Sequence, residues 1–123
     1  MITRARTLSI NCRNQTAMAD IPFPSRHWNR RLPALIKFIN NCAPSVIGVQ
    51  ETRDDMAVDI TNGLGPNWTF WGLGTAKIIW DSTKWIVVDH HAHRFDAFPI
   101  FASDHNGVFA KIEFSSPPGL PPL

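Results

Sequence analysis

At 123 residues and 13.8 kDa the chain is sized for one domain around one core. Hydrophobic residues at 44% and charged residues at 18% exclude a disordered chain. No apolar run is long enough to cross a bilayer, so no membrane partner is expected. The net charge of +2 does not announce a nucleic-acid binder, but it is unevenly spread. Through Arg53, eight Lys and Arg stand against Asp20 and Glu51, which leaves +6 there and −4 in the remainder.

In chain order, Met1–Arg6 is basic with no apolar stretch behind it, which predicts no secretory signal and a cytoplasmic location. Cys12 and Cys42 are accordingly expected to be buried thiols in a reducing compartment. Thr7–Cys12 alternates, with Leu8, Ile10 and Cys12 on one face and Ser9 and Asn11 on the other, the period of a half-buried strand. Arg13–Ser25 holds Pro22 and Pro24 and no period, so a loop is expected. Trp28, Leu32, Leu35, Ile36 and Ile39 then form one apolar helical stripe, with Arg30, Arg31, Lys37 and Asn40 facing away. Asn29 is the expected N-cap, Pro33 falls in or just past the first turn, and Pro44 stops the helix.

Val46-Ile47-Gly48-Val49-Gln50 reads as a buried strand ending in Glu51. An ionised carboxylate is costly to bury alone, so Glu51 is expected at the strand's mouth, paired or metal-bound; the plainer alternative is a strand end in solvent. Thr52-Arg53-Asp54-Asp55 resembles a capping box opening a short helix, with Met56, Ile60 and Leu64 buried and Gly63 or Gly65 stopping it. Trp68–Trp71, Lys77–Trp80 and Trp85–Val88 read as strands, with Gly72/Gly74 and Asp81-Ser82-Thr83 as turns. Val108–Phe114 alternates as a last strand, and 115–123 is a Pro-rich tail outside a single domain spanning 1–114. The pattern is α+β, a layered α/β sandwich.

Three polar points fall at ends of these strands: Asn11, Glu51 and Asp104-His105. An amide oxygen and two carboxylates suit Mg²⁺ or Mn²⁺. His105 beside them is placed to donate a proton or to stabilise charge on a phosphoryl group. The competing reading makes Asp104 and Asn106-Gly107 an ordinary turn with His105 on its surface.

Gln50-Glu51 after Val46-Ile47-Gly48-Val49, preceded by Trp28-x-x-Arg31 and a helix, resembles the endonuclease/exonuclease/phosphatase superfamily. Leu8-Ser9-Ile10-Asn11 is similar to that family's first motif, which ends in a metal-site Asn. Ser103-Asp104-His105 followed by a strand is similar to its last, and Gly72–Trp80 to an intervening strand. The resemblance implies that Glu51 is the principal metal ligand with Asn11 nearby. It further implies that Asp104 binds metal or orients His105, and that His105 contacts the scissile phosphate. A two-sheet sandwich flanked by helices is the implied fold.

The chain departs from the family in length, in having no Gly-Asp-x-Asn motif and in having no Tyr. In the missing motif's place stands Asp89–Asp96, where His91 and His93 would share a strand face and, with His90 or Asp96, are candidate transition-metal ligands. Asp89 or Asp96 is a candidate substitute base, Arg94 a candidate phosphate ligand, and the plain alternative is a solvated connection. The resulting expectation is a Mg²⁺- or Mn²⁺-dependent phosphodiester hydrolase acting on nucleic acid, DNA first. Its alternatives are a small-molecule phosphatase or a catalytically inactive metal- or nucleic-acid-binding remnant. A homodimer would cover sheet surface left exposed by the shortening. Trp68, Trp71, Trp80 and Trp85 are expected mostly in the core, with base stacking as the alternative role.

Overall fold

The computed structural model describes residues 6–14, 22–93 and 107–114. The elements run β1 (Thr7–Asn11), a 3₁₀ turn (Pro24–Arg26), α1 (Trp28–Cys42), β2 (Val46–Gln50), α2 (Asp54–Leu64), β3 (Trp68–Leu73), β4 (Ala76–Asp81), β5 (Trp85–His93) and β6 (Gly107–Phe114). The tail at 115–123 lies outside the described residues.

The first four strands form one mixed sheet in the order β1-β2-β4-β3. β1 and β2 are parallel, because the chain must return along α1 to re-enter the sheet in the same direction. β2–β4 and β3–β4 are antiparallel. β5 and β6 make a second, two-stranded antiparallel sheet.

Register decides which residues share a face. Leu8 pairs with Ile47, Ile47 with Ile79 and Ile79 with Phe70, so one apolar row crosses all four strands. The next row is Ile10, Val49, Lys77 and Gly72. Both helices pack on this face: Trp28 and Ile39 of α1 and Met56 and Ile60 of α2 join Ile47, Val49 and Ile79 in the core. Ile47, Met56, Ile60 and Ile79 are fully buried, which stabilises the fold by roughly 1.5–3 kcal/mol for each such side chain. Gly63 lets the helices approach, since a Cβ there would lie 2.8 Å from Ile36 Cδ1. The Trp28 indole N–H also donates to Asp59 at 2.9 Å, tying α1 to α2. Trp28 is buried, whereas Trp68, Trp71, Trp80 and Trp85 are only half-buried, not the full core positions expected for them.

The helix starts differ from the sequence expectation. α1 begins at Trp28 with His27 as N-cap, not at Asn29, because the 3₁₀ turn delivers the chain so that Arg30 and Arg31 N–H both close on the His27 carbonyl. Pro33 consequently sits in the second turn, where the Asn29 carbonyl forgoes its usual partner. Thr52 does not cap α2. It is fully buried and its hydroxyl donates to the Gln50 carbonyl, leaving Arg53 at the N-cap with no side-chain capping bond to the helix. α2 stops at Gly65, where φ is +129°.

Two strands are longer than their apolar runs. Gly72 belongs to β3, and the turn is Gly74-Thr75. β5 continues to His93, so Asp89–His93 is not a loop: it pairs with Gly107–Lys111 of β6 after a register shift between Val87 and Asp89. Arg94 and Asp96 lie outside the described residues.

Ala43 ends α1 in the left-handed region, φ 50° and ψ 49°, and is exposed. A Cβ in that region costs roughly 1–2 kcal/mol, which glycine avoids. Ala43→Gly is therefore expected to raise unfolding stability by about 1 kcal/mol, read as a shift in urea midpoint at constant m-value.

Candidate active site

The parallel pairing of β1 and β2 brings Asn11 level with Gln50, so both strands end at the same edge of the sheet. The Cys12 N–H still bonds the Gln50 carbonyl at 2.9 Å, carrying the pairing one residue further. Both chains then turn sharply. Arg13 and Glu51 each adopt positive φ, 52° and 53°, which non-glycine residues rarely do. The Asn11 side-chain oxygen accepts the Arg13 N–H at 2.8 Å, an Asx turn that holds the first bend. The Glu51 carboxylate is half-buried and accepts the Asn14 N–H at 3.4 Å, a contact that links the two bends. Glu51 thus stands at the strand's mouth, as its chemistry requires, and its backbone carries the strain typical of functional positions.

The bend after β1 has a second support that the sequence did not disclose. Arg31 does not face away from the fold. Its guanidinium donates to the carbonyls of Arg26 at 2.7 Å, Cys12 at 2.7 Å and Arg13 at 2.8 Å, and it lies over the Trp28 ring at 5.4 Å. One rigid fork thereby fixes the chain beside Asn11 from the first turns of α1. Lysine has one compact ammonium and cannot reproduce three divergent bonds. Arg31→Lys is expected to lower stability by about 2 kcal/mol in urea unfolding.

Cys12, buried beneath this bend, has its thiol pKa pushed above the usual 9.0 by desolvation, against smaller lowering effects of the Thr52 hydrogen bond and the Arg31 charge. Cys42 is a free thiol too, but only half-buried. The expectation of two buried thiols therefore holds for Cys12 alone.

On the other side of Glu51, the Thr52 N–H donates to the Thr75 carbonyl at 2.9 Å, which ties the β3–β4 turn to the strand end. An open groove of about 580 Å³ lies here, with Arg53, Asp54 and Asp55 on one wall and Gly72, Leu73, Gly74 and Thr75 on the other. Lys77 fixes both walls from inside. Only 2% exposed, it donates to Asp54 Oδ1 at 2.9 Å and to the Gly74 carbonyl. The alternation of Lys77 with Ile79 placed it on the inner face, and that was the available sign that its charge is buried.

Of the expected site, the structure brings Asn11 and Glu51 to one edge. Asp104 and His105 lie outside the described residues, although β6 begins at Gly107, two positions beyond His105. Among the described residues no three His, Cys, Asp or Glu side chains are grouped to hold a metal ion.

No family profile matches the sequence, and no curated protein does. Solved structures do. An endonuclease/exonuclease/phosphatase from Bacteroides vulgatus superposes with a TM-score of 0.76 at 20% identity, over 92% of this chain and 48% of its own. This is an endonuclease/exonuclease/phosphatase fold. A mannosyl-6-phosphatase from Bacteroides thetaiotaomicron VPI-5482 shares it at 0.65 and 19% identity, over 73% of this chain and 36% of its own. ANGEL2, a 2',3'-cyclic phosphatase solved with adenosine-2',3'-vanadate, does so at 0.69 and 19%, over 89% of this chain and 37% of its own. The chain therefore spans less than half the length of these endonuclease/exonuclease/phosphatase-fold structures.

Proposed function

We propose that the chain is a divalent-metal-dependent phosphoester hydrolase whose metal is held by Glu51, with Asn11 in support. The observation that carries this reading is Glu51 itself, a carboxylate held half-buried by a left-handed backbone at the end of β2, beside the end of β1, in this fold. The donors fit Mg²⁺ or Mn²⁺, since a carboxylate and an amide oxygen are hard ligands on rigid strand ends. Such an ion, when bound, neutralises phosphate oxygens and lowers the pKa of bound water. Asp104 would add a ligand or orient His105, and His105 would contact the scissile phosphate. The two phosphatases that share the fold support phosphoester chemistry.

DNA as the substrate is the narrower form of this reading, and it rests on the basic excess of the first part of the chain. Part of that excess is occupied within the fold, because Arg31 is bound to three carbonyls. The rival reading is a binding module that lacks a water-activating Asp.

The test is hydrolysis of plasmid DNA, a single-stranded oligonucleotide and p-nitrophenyl phosphate with Mg²⁺ or Mn²⁺, with and without chelator. His105→Ala is expected to lower any activity by about 10²-fold or more. Metal-dependent cleavage of DNA above the small ester would establish the nuclease. No cleavage of any phosphoester would overturn the enzyme and leave the binding module.

A further inference from the structure

The groove beside Glu51 has a wall chemistry of its own. Arg53 supplies one cation, Asp54 and Asp55 supply two anions, and the Lys77 charge is buried behind Asp54. A nucleic-acid strand brings a phosphate with every nucleotide and needs cations along its track, whereas both cations here are already paired, Arg53 with Asp55 at 3.7 Å and Lys77 with Asp54 at 2.9 Å. An aliphatic ligand would need mostly apolar walls. Here Leu73, 38% exposed, is the large apolar side chain of the lining. A guanidinium beside carboxylates offers donors and acceptors together, which is what hydroxyl groups require, since each is both donor and acceptor. One aliphatic side chain suits the C–H face of a sugar ring. The groove's volume of about 580 Å³ falls within the usual range of small-ligand sites.

The groove is also joined to the candidate metal site. The Thr52–Thr75 bond is made by the residue immediately after Glu51, and Lys77 holds the two walls at fixed separation.

We propose that this groove binds the neutral, hydroxyl-rich part of a small phosphoester, a sugar phosphate, while the phosphate lies toward Glu51. The phosphate half rests on the hydrolase reading above; the hydroxyl-binding half does not. Methyl α-glucoside, glucose 6-phosphate and a dinucleotide are each titrated into the full chain, followed by backbone amide shifts. The glucoside is expected to shift Arg53–Asp55 and Gly72–Thr75, and glucose 6-phosphate to bind more tightly to Mg²⁺-loaded than to metal-free protein. Asp55→Ala should weaken glucoside binding about tenfold. Because Asp55 also accepts the Met56 N–H at 3.0 Å, Arg53→Ala serves as a second variant that leaves that helix contact intact. Absence of glucoside shifts in the groove at tens of millimolar, or shifts unchanged in both variants, overturns the proposal. Stronger shifts from the dinucleotide overturn it in favour of a nucleic-acid subsite. Glucoside binding here by a protein that hydrolyses no phosphoester would keep the groove and reject the hydrolase.

Discussion

Gly72→Ala is expected to destabilise the protein by about 2–4 kcal/mol, the largest effect of any single-methyl change proposed for this chain. Gly72 lies opposite Lys77 where β3 and β4 converge on their turn. A Cβ there would stand 2.1 Å from the Ala76 carbonyl oxygen and 2.8 Å from the Lys77 Cα. Two of the three nearest atoms are backbone, so no rotamer change relieves the overlap; the strands must part. Parting them displaces Lys77, which is almost wholly buried, and loosens the Thr75 carbonyl from the Thr52 N–H. The stability loss should therefore come with a weaker site. Urea unfolding gives the first quantity, and a change below about 0.5 kcal/mol, the range of neutral surface substitutions, would contradict the packing of this hairpin.

Glu51→Gln is expected to remove metal-dependent hydrolysis while leaving the fold intact, since volume and backbone conformation are retained. In the proposed site Glu51 is a metal ligand, and losing one worth about 4 kcal/mol of charge stabilisation would correspond to roughly 10³-fold in rate. Glu51→Gly separates function from folding further. It relieves the positive φ of 53° and should match or exceed the wild type in stability by about 1 kcal/mol, yet be equally inactive. A residue whose removal stabilises the chain while abolishing activity is held there for chemistry.

Local signals located most of the architecture. The alternation of Leu8, Ile10 and Cys12 marked β1, the spacing of Trp28 to Ile39 marked α1, and the apolar run before Gln50 marked β2, each within two residues of the observed bounds. Glu51 was legible because a carboxylate after a buried run has few places to go. The parts that were not legible depend on partners distant in sequence. Arg31 looks like an ordinary solvated helix residue until β1 turns beneath it and presents carbonyls eighteen and nineteen positions away. Thr52 fits a capping box by spacing, but the Gln50 carbonyl, brought within 3.0 Å by the bend at Glu51, captures its hydroxyl. Asp89–His93 has a loop's composition and a strand's pairing, because β6 supplies backbone partners that composition does not reveal.

Direct Mn²⁺ titration, followed by the loss of the free-ion electron paramagnetic resonance signal, tests the central claim without needing a substrate. The wild type should bind the ion, Mg²⁺ should displace it, and Glu51→Gln should not bind it while melting at the wild-type temperature. Equal Mn²⁺ binding by the folded Glu51→Gln variant would contradict the account and remove Glu51 from the site.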